Sequence, residues 1–176
     1  MANLVKQAQQ GSKEAFVRLM EQNKVSLVRA AKAVLKNDDD VADAVAETVL
    51  TAAQKLGGLR SADYFKTWLT RILLNHCYQT LRNRKRIVSF DSAPEAVRID
   101  NPDAALDVRE TLRLLSENDR LILTLFYMDD LSVKSIAEIL NIKEGAVKAR
   151  LTRSRKRFQT AYEKREEETH EACQIQ

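Results

Sequence analysis

Apolar positions recur every three or four residues over most of the chain. Leu4, Val5, Ala8, Ala15, Phe16, Leu19, Met20, Leu27, Val28, Ala31, Val34 and Leu35 set the pattern, which runs from residue 3 to about residue 86. That spacing predicts amphipathic helices. The first ends near Gly11, and Ser12 is placed to cap the second. Asn37-Asp38-Asp39-Asp40 supplies a cap and favourable dipole charge for a third, which runs to about Leu56 and stops at Gly57-Gly58. After a short loop, Leu59 to Asp63, a long helix is expected from about Tyr64 to Arg86. The pattern dissolves over residues 87–107, which hold both prolines, Pro94 and Pro102, and an acidic excess; this stretch reads as a linker. Periodicity returns over residues 108–162, broken near Ser116-Glu117-Asn118, Asp129-Asp130 and Asn141-Ile142, and residues 163–176 read as a charged, frayed tail.

Composition narrows the fold. With 4 Gly and 2 Pro, the chain lacks the turn chemistry of a sandwich, a barrel or a Gly-rich nucleotide-binding fold. Its 44% hydrophobic and 31% charged residues suit a packed protein. The expectation is an all-α protein of two small helical domains, 1–86 and 108–162, joined by a flexible acidic linker. No stretch approaches a membrane span and the N-terminus carries no signal-like leader, so a cytoplasmic location without membrane insertion is expected. Cys77 and Cys173 lie too far apart in sequence to resemble a disulfide framework or a paired zinc site. His170 and Cys173 make at most half a metal site, and no metal or cofactor is implied.

The net charge of +4 is unevenly spread. Arg82, Arg84, Lys85 and Arg86 form one acid-free cluster, while Lys148, Arg150, Arg153, Arg155, Lys156 and Arg157 form another. Between them lie Asp91, Glu95, Asp100, Asp103, Asp107 and Glu110, opposed by Arg98 and Arg109. Two basic sites on one chain point to polyanion binding at two places.

Three helical faces carry the candidate chemistry. On a wheel of about 100° per residue, Val147, Leu151, Ser154 and Phe158 face inward. Ala149, Thr152, Arg153 and Lys156 then face outward, with Lys148 and Arg155 along one edge and Arg150 and Arg157 along the other. Small or forked side chains at the centre can reach base edges, and cations at the edges can reach the two phosphate walls of a major groove. The short amphipathic helix Ser132 to Leu140, the turn at Asn141-Ile142-Lys143 and this basic helix together read as helix-turn-helix, with Ala137 small enough for a close crossing. An ordinary solvated basic helix is the competing reading.

The helix from Tyr64 has Leu69, Ile72, Leu73, His76, Cys77 and Thr80 on its apolar side and Arg71, Asn75, Tyr78, Arg82 and Lys85 on the other. Cations, an amide and an aromatic ring in one stripe suit single-stranded nucleic acid, whose unstacked bases can be stacked upon and hydrogen-bonded. Trp68 reads as core. In the 40–56 helix Val41, Val45, Val49, Ala52 and Leu56 turn inward, and Asp43, Glu47, Leu50 and Gln54 turn outward. A leucine ringed by acids and an amide can dock a basic protein partner. The same carboxylates could serve a metal-dependent nuclease, although no supporting ligand accompanies them.

These stretches resemble the bacterial sigma factors of the extracytoplasmic-function (ECF) type. Asp40-Val41-Ala42-Asp43-Ala44-Val45-Ala46-Glu47-Thr48 is similar to the family's D-x-x-D-x-V-Q-E-T segment. Phe65-Lys66-Thr67-Trp68-Leu69-Thr70-Arg71-Ile72 with Asn75, Leu81 and Arg82 is similar to its F-x-x-W-L-x-R-I helix. Leu131-Ser132, Ile136 to Leu140 and Gly145 to Leu151 resemble its L-S-x-x-E-I-A-E-I-L and G-T-V-K-S-R-L elements. The resemblance implies a protein that binds core RNA polymerase and promoter DNA, reads and melts the -10 element with its first domain and reads the -35 element as duplex with its second. It implies that Asp43, Glu47, Leu50 and Gln54 contact polymerase. Leu59, Arg60, Ser61, Ala62 and Asp63 with Arg71, Asn75, Tyr78, Arg82 and Lys85 would serve the -10 element. Lys148, Ala149, Arg150, Thr152, Arg153, Arg155, Lys156 and Arg157 would serve the -35 element. It further implies an anti-sigma partner, or packing of the domains, that masks these surfaces until release. Ala46, Leu59, Ala149 and Asn141 depart from the family's usual Gln, aromatic, Ser and Gly. The alternative is a helix-turn-helix regulator that acts without polymerase.

Overall fold

The computed structural model describes the backbone of residues 1–87 and 104–174, and the side chains of residues 1–84 and 108–166. Most of the expected linker, 88–103, lies outside the described residues, as do the side chains of Lys85, His170 and Cys173. Among the described residues every regular element is helical. Helix α1 (Ala2–Gln9) ends before Gly11, whose φ of 97° is one a side chain would resist. Helix α2 (Lys13–Val34) is capped by Ser12, which accepts from the Ala15 N–H at 3.2 Å. Helix α3 (Asp38–Lys55) is capped by Asn37, whose Oδ1 accepts from the N–H groups of Asp39 at 2.7 Å and Asp40 at 3.2 Å. Helix α4 (Phe65–Ile87) follows two short 3-10 turns, Leu56–Gly58 and Ala62–Tyr64. The starts of α2 and α3 each use a polar side chain to satisfy amides that have no partner in the helix.

The first unit buries Leu19, Leu27, Phe65, Leu69 and Leu73 between α2, α3 and α4. The α3 stripe differs from expectation. Val41, Ala44, Thr48, Ala52 and Leu56 are buried, whereas Val45 and Val49 are only half-buried. Small residues at every fourth position let α3 lie close on α4, and Thr48 satisfies its hydroxyl on the Ala44 carbonyl at 2.6 Å. Arg84, counted above as part of a basic cluster, pairs with Asp40 at 2.9 Å and joins the end of α4 to the start of α3.

The second unit comprises α5 (Ala104–Leu114), α6 (Glu117–Leu123), a π-helical turn (Thr124–Met128), α7 (Val133–Leu140) and α8 (Glu144–Gln174). Asn141 closes α7 at φ 52°, the left-handed conformation an amide side chain tolerates, and the Ile142 N–H returns to the Ala137 carbonyl at 3.0 Å. Helix α8 runs well past residue 162, where the sequence pattern placed the start of a frayed tail. Helix α5 lies along it, and Arg165 reaches Glu110 at 2.7 Å. Arg165 thus meets α5 through a polar pair, which leaves no mark in a hydrophobicity pattern.

The two units share one apolar core. Helix α2 packs on α6 and on the π-helical turn, and α4 packs on α7. Three polar contacts across the seam share one pattern: a cation from one unit meets a carbonyl at a helix C-terminus in the other. Arg120 Nε donates to the Ala33 carbonyl at 2.8 Å, in the last turn of α2. Arg29 donates to the Met128 carbonyl at 3.1 Å and Lys66 to the Asp129 carbonyl, at the end of the π-helical turn. Those carbonyls lack partners within their own helices and carry the negative end of the dipole.

Candidate nucleic-acid interface

Helix α8 places its residues as the wheel required. Val147, Leu151 and Ser154 are buried and Phe158 is half-buried, so the opposite side faces solvent. Lys148, Ala149, Thr152, Arg153, Arg155 and Lys156 are exposed there, and the Thr152 hydroxyl donates back to the Lys148 carbonyl at 3.1 Å. Ala137 is buried at the crossing with α8, and Ser132 caps α7 by accepting from the Ser135 N–H at 3.0 Å.

Two edge cations depart from the expected picture. Arg150 is half-buried and lies near enough to Tyr78 for its charge to act on the phenol. Arg157 does not stand free: its NH1 holds Asp119 Oδ2 at 2.7 Å. Asp119, which sequence reasoning did not single out, is buried and also accepts from the hydroxyls of Ser116 and Ser154, each at 2.6 Å. Burial raises its pKa, but the bonds from Ser116, Ser154 and Arg157 outweigh that and hold the carboxyl below its ordinary value.

On α4, Arg71, Asn75 and Arg82 are exposed along one side, and Arg60 and Asp63 are exposed in the preceding loop. Leu59, Ser61 and Ala62 are half-buried, with Leu59 and Ala62 packed on the core. The loop is anchored from α1: Gln9 Nε2 donates to the carbonyls of Leu56 at 3.0 Å and Leu59 at 2.8 Å. Tyr78, expected on the open side, is half-buried against the core; burial, then Glu117 and Cys77, raise its pKa while Arg150 opposes them. Helix α4 also packs on α7 of the second unit, which no single-helix wheel could register.

Trp68 packs half-buried, its ring 5.9 Å from that of Phe65. His76 shares a 3.0 Å hydrogen bond with the Thr51 hydroxyl. Burial pushes the Cys77 thiol up to about 12, far from the range of a reactive thiolate. Asp43, Glu47, Leu50 and Gln54 are all exposed on α3, with Leu50 at 57%. Among the described residues no group of acids, His and Cys is arranged to hold a metal ion, and no helix is long and apolar enough to cross a membrane.

The seam holds a second overlooked carboxylate. Asp129 is 2% exposed and neither oxygen has a hydrogen-bond partner. Arg29 NH1 stands 4.0 Å from its Oδ1, Lys66 occupies its backbone carbonyl, and Ser26 faces it from α2. Burial drives its pKa above the ordinary value, against the opposing effects of Ser26, Lys66 and Arg29.

A helix-turn-helix with a basic outer face, coupled to a helical unit carrying a second cationic stripe, is the architecture of a promoter-recognition subunit. Comparison with known proteins gives the same class. Residues 19–87 match sigma-70 region 2, and residues 105–158 match sigma-70 region 4. The RNA polymerase sigma factor SigV of Bacillus subtilis is 30% identical over 150 residues, covering 84% of this chain and 90% of that protein. The ECF RNA polymerase sigma factor SigM of Mycobacterium tuberculosis is 29% identical over 151 residues, covering 84% of this chain and 77% of its own. Among solved structures, the sigma factor RpoE of Bartonella quintana, in complex with the anti-sigma factor NepR, superposes with a TM-score of 0.71 at 25% identity, over 83% of this chain and 97% of that one. CnrH, solved with the cytosolic domain of CnrY, gives 0.65 at 25% identity over 90% and 94%.

The chain belongs to the ECF RNA polymerase sigma factors. It acts with core RNA polymerase and promoter DNA in directing transcription initiation, and its family is not one of catalytic enzymes.

Proposed function

We propose that the two cationic faces divide promoter recognition between them. Lys148, Ala149, Arg150, Thr152, Arg153, Arg155 and Lys156 read the -35 element as duplex. The 59–63 loop with Arg71, Asn75, Arg82 and Lys85 captures melted bases of the -10 element, and Tyr78 joins them once the second domain moves off it. Asp43, Glu47, Leu50 and Gln54 dock on core polymerase. The chain performs no covalent chemistry and works in the cytoplasm, where polymerase is. The observation that carries this reading is the acid-free outer face of α8, exposed while Val147, Leu151 and Ser154 are buried beneath it.

The packed arrangement is then a resting one. By their positions the two elements lie about 25 base pairs apart, or ~85 Å at ~3.4 Å per base pair. Two units that share one apolar core cannot span that length, so the seam opens when the holoenzyme engages a promoter. RpoE and CnrH were each captured with a partner protein, and a similar partner that stabilises a compact arrangement is expected for this chain.

Run-off transcription with the pure chain, core polymerase and a promoter library tests the reading. Arg153→Ala is expected to lose -35 preference, and Leu50→Asp to lose core binding. Unchanged preference in the first would remove α8 from the groove. Parental affinity for core in the second would move the docking face elsewhere.

A further inference from the structure

The inner side of the recognition helix combines apolar packing, which Phe158 extends beyond the fully buried stripe, with one buried polar bond. Val147, Leu151 and Ser154 form its buried stripe, at 0%, 1% and 0% exposure. Contact between apolar groups is non-directional and sets the roll of a helix less sharply than a hydrogen bond does. The third position is different. Ser154 Oγ donates to Asp119 Oδ1 at 2.6 Å, and a roll that breaks this bond strands a buried carboxylate oxygen. Asp119 is itself fixed, because Ser116 Oγ donates to its Oδ2 at 2.6 Å and accepts from its N–H at 3.3 Å. The residue that completes the N-terminal cap of α6 thereby indexes α8.

The consequence for DNA follows from helix dimensions. A roll of ~20° carries an atom ~6 Å from the axis through ~2 Å, which exceeds the whole tolerance of a hydrogen bond. Base-edge contacts from Thr152 and Arg153 would be lost, while long flexible cations would still find phosphate. Arg157 adds a second effect. Its ion pair with Asp119 at 2.7 Å withholds a cation from the phosphate backbone.

We propose that Asp119 is a positioning residue for -35 recognition: through Ser154 it sets the roll of α8 and so its sequence preference, and through Arg157 it limits sequence-independent binding. The proposal rests on α8 being the -35 reader. It assigns the two effects to different oxygens, which makes them separable.

Holoenzyme assembled from core polymerase and the full chain is assayed on promoters randomised over the -35 element, at temperatures well below each variant's melting point, with Arg153→Ala alongside. Ser154→Ala is expected to flatten -35 preference about tenfold with the salt dependence of duplex binding unchanged. Asp119→Ala flattens preference equally and steepens the salt slope by about one unit, because Arg157 is released. Asp119→Asn retains an acceptor for Ser154 and so keeps preference, yet shows the steeper slope. Parental preference in Ser154→Ala, with Arg153→Ala impaired, overturns the proposal and leaves the reading of α8 intact. Parental preference in Arg153→Ala as well overturns that reading. Ser154→Ala removes one oxygen and favours helix, so the test stands even if Asp119→Ala fails to fold.

Discussion

Arg120 of the second domain donates its Nε hydrogen to the carbonyl of Ala33 at 2.8 Å, capping a helix that belongs to the first domain. Burial lowers the guanidinium's pKa, yet it remains a cation, so the bond is charge-assisted. Arg29 and Lys66 repeat the device in the opposite direction. Three hydrogen bonds of the seam thus join side chains of one unit to backbone of the other, beside an apolar core that both units build.

Arg120→Ala should loosen that seam. Of the three hydrogen bonds Arg120 makes, the long ones to the Arg113 and Leu115 carbonyls stay within its own unit, and the charged one that crosses the seam to Ala33 is worth roughly 1.5–3 kcal/mol. Dyes on α3 and α8 should report a longer mean separation by single-molecule energy transfer, with the helicity of each unit unchanged. An unaltered distance distribution would show that apolar packing alone holds the domains.

Asp129 makes the packing depend on pH, with a definite sign. Its folded carboxyl sits above the ordinary value, chiefly through burial, so ionisation costs stability in the packed state and that cost is fully present above the raised value. The cost is relieved as pH falls through the raised value towards ~3.9, where the unfolded group titrates. The compact fraction should therefore increase from neutral to mildly acidic pH in the parent. Asp129→Asn should be compact throughout and should initiate transcription more slowly. The opposite trend with pH would mean that the pull of Arg29 and Lys66 exceeds the burial penalty.

Gln9 anchors the loop that precedes α4, and Gln9→Ala removes two hydrogen bonds worth about 0.5–1.5 kcal/mol each. Promoter opening, followed by permanganate reactivity of thymines in the -10 region, should fall, while -35 duplex binding should hold. Equal losses in both would assign Gln9 to general stability.

Asn141 occupies left-handed backbone at φ 52°. Asn141→Gly should be neutral within a few tenths of a kcal/mol, whereas Asn141→Val should cost about 1–2 kcal/mol, read as a lowered melting temperature.

Some of this was legible in the chain and some was not, for physical reasons. The inner and outer sides of α8 follow from helical period alone, and Ser12 and Asn37 cap where expected because capping is a local event. The α3 stripe was misread because Val45 and Val49 outrank Ala44 and Thr48 in hydrophobicity, while close approach to α4 rewards small size. Arg29, Lys66 and Arg120 bond to backbone carbonyls far along the chain, and a carbonyl leaves no mark in a sequence. Asp129 reads as a turn residue until two domains close around it, and Asp119 as the third residue of a capped helix. Arg157 was counted among the DNA cations because its partner lies in another helix.

One extra residue of backbone decides how the halves fit. In Thr124–Met128 the chain winds one position wider than an α-helix, and the Asp129 N–H closes on the Thr124 carbonyl at 3.0 Å. Winding the same five residues as regular α-helix, with each N–H bonded four residues back, would rotate everything downstream about the helix axis. Met128 and Asp129 would then turn away from Arg29 and Lys66. The mating of the two domains is keyed by the winding of this single turn.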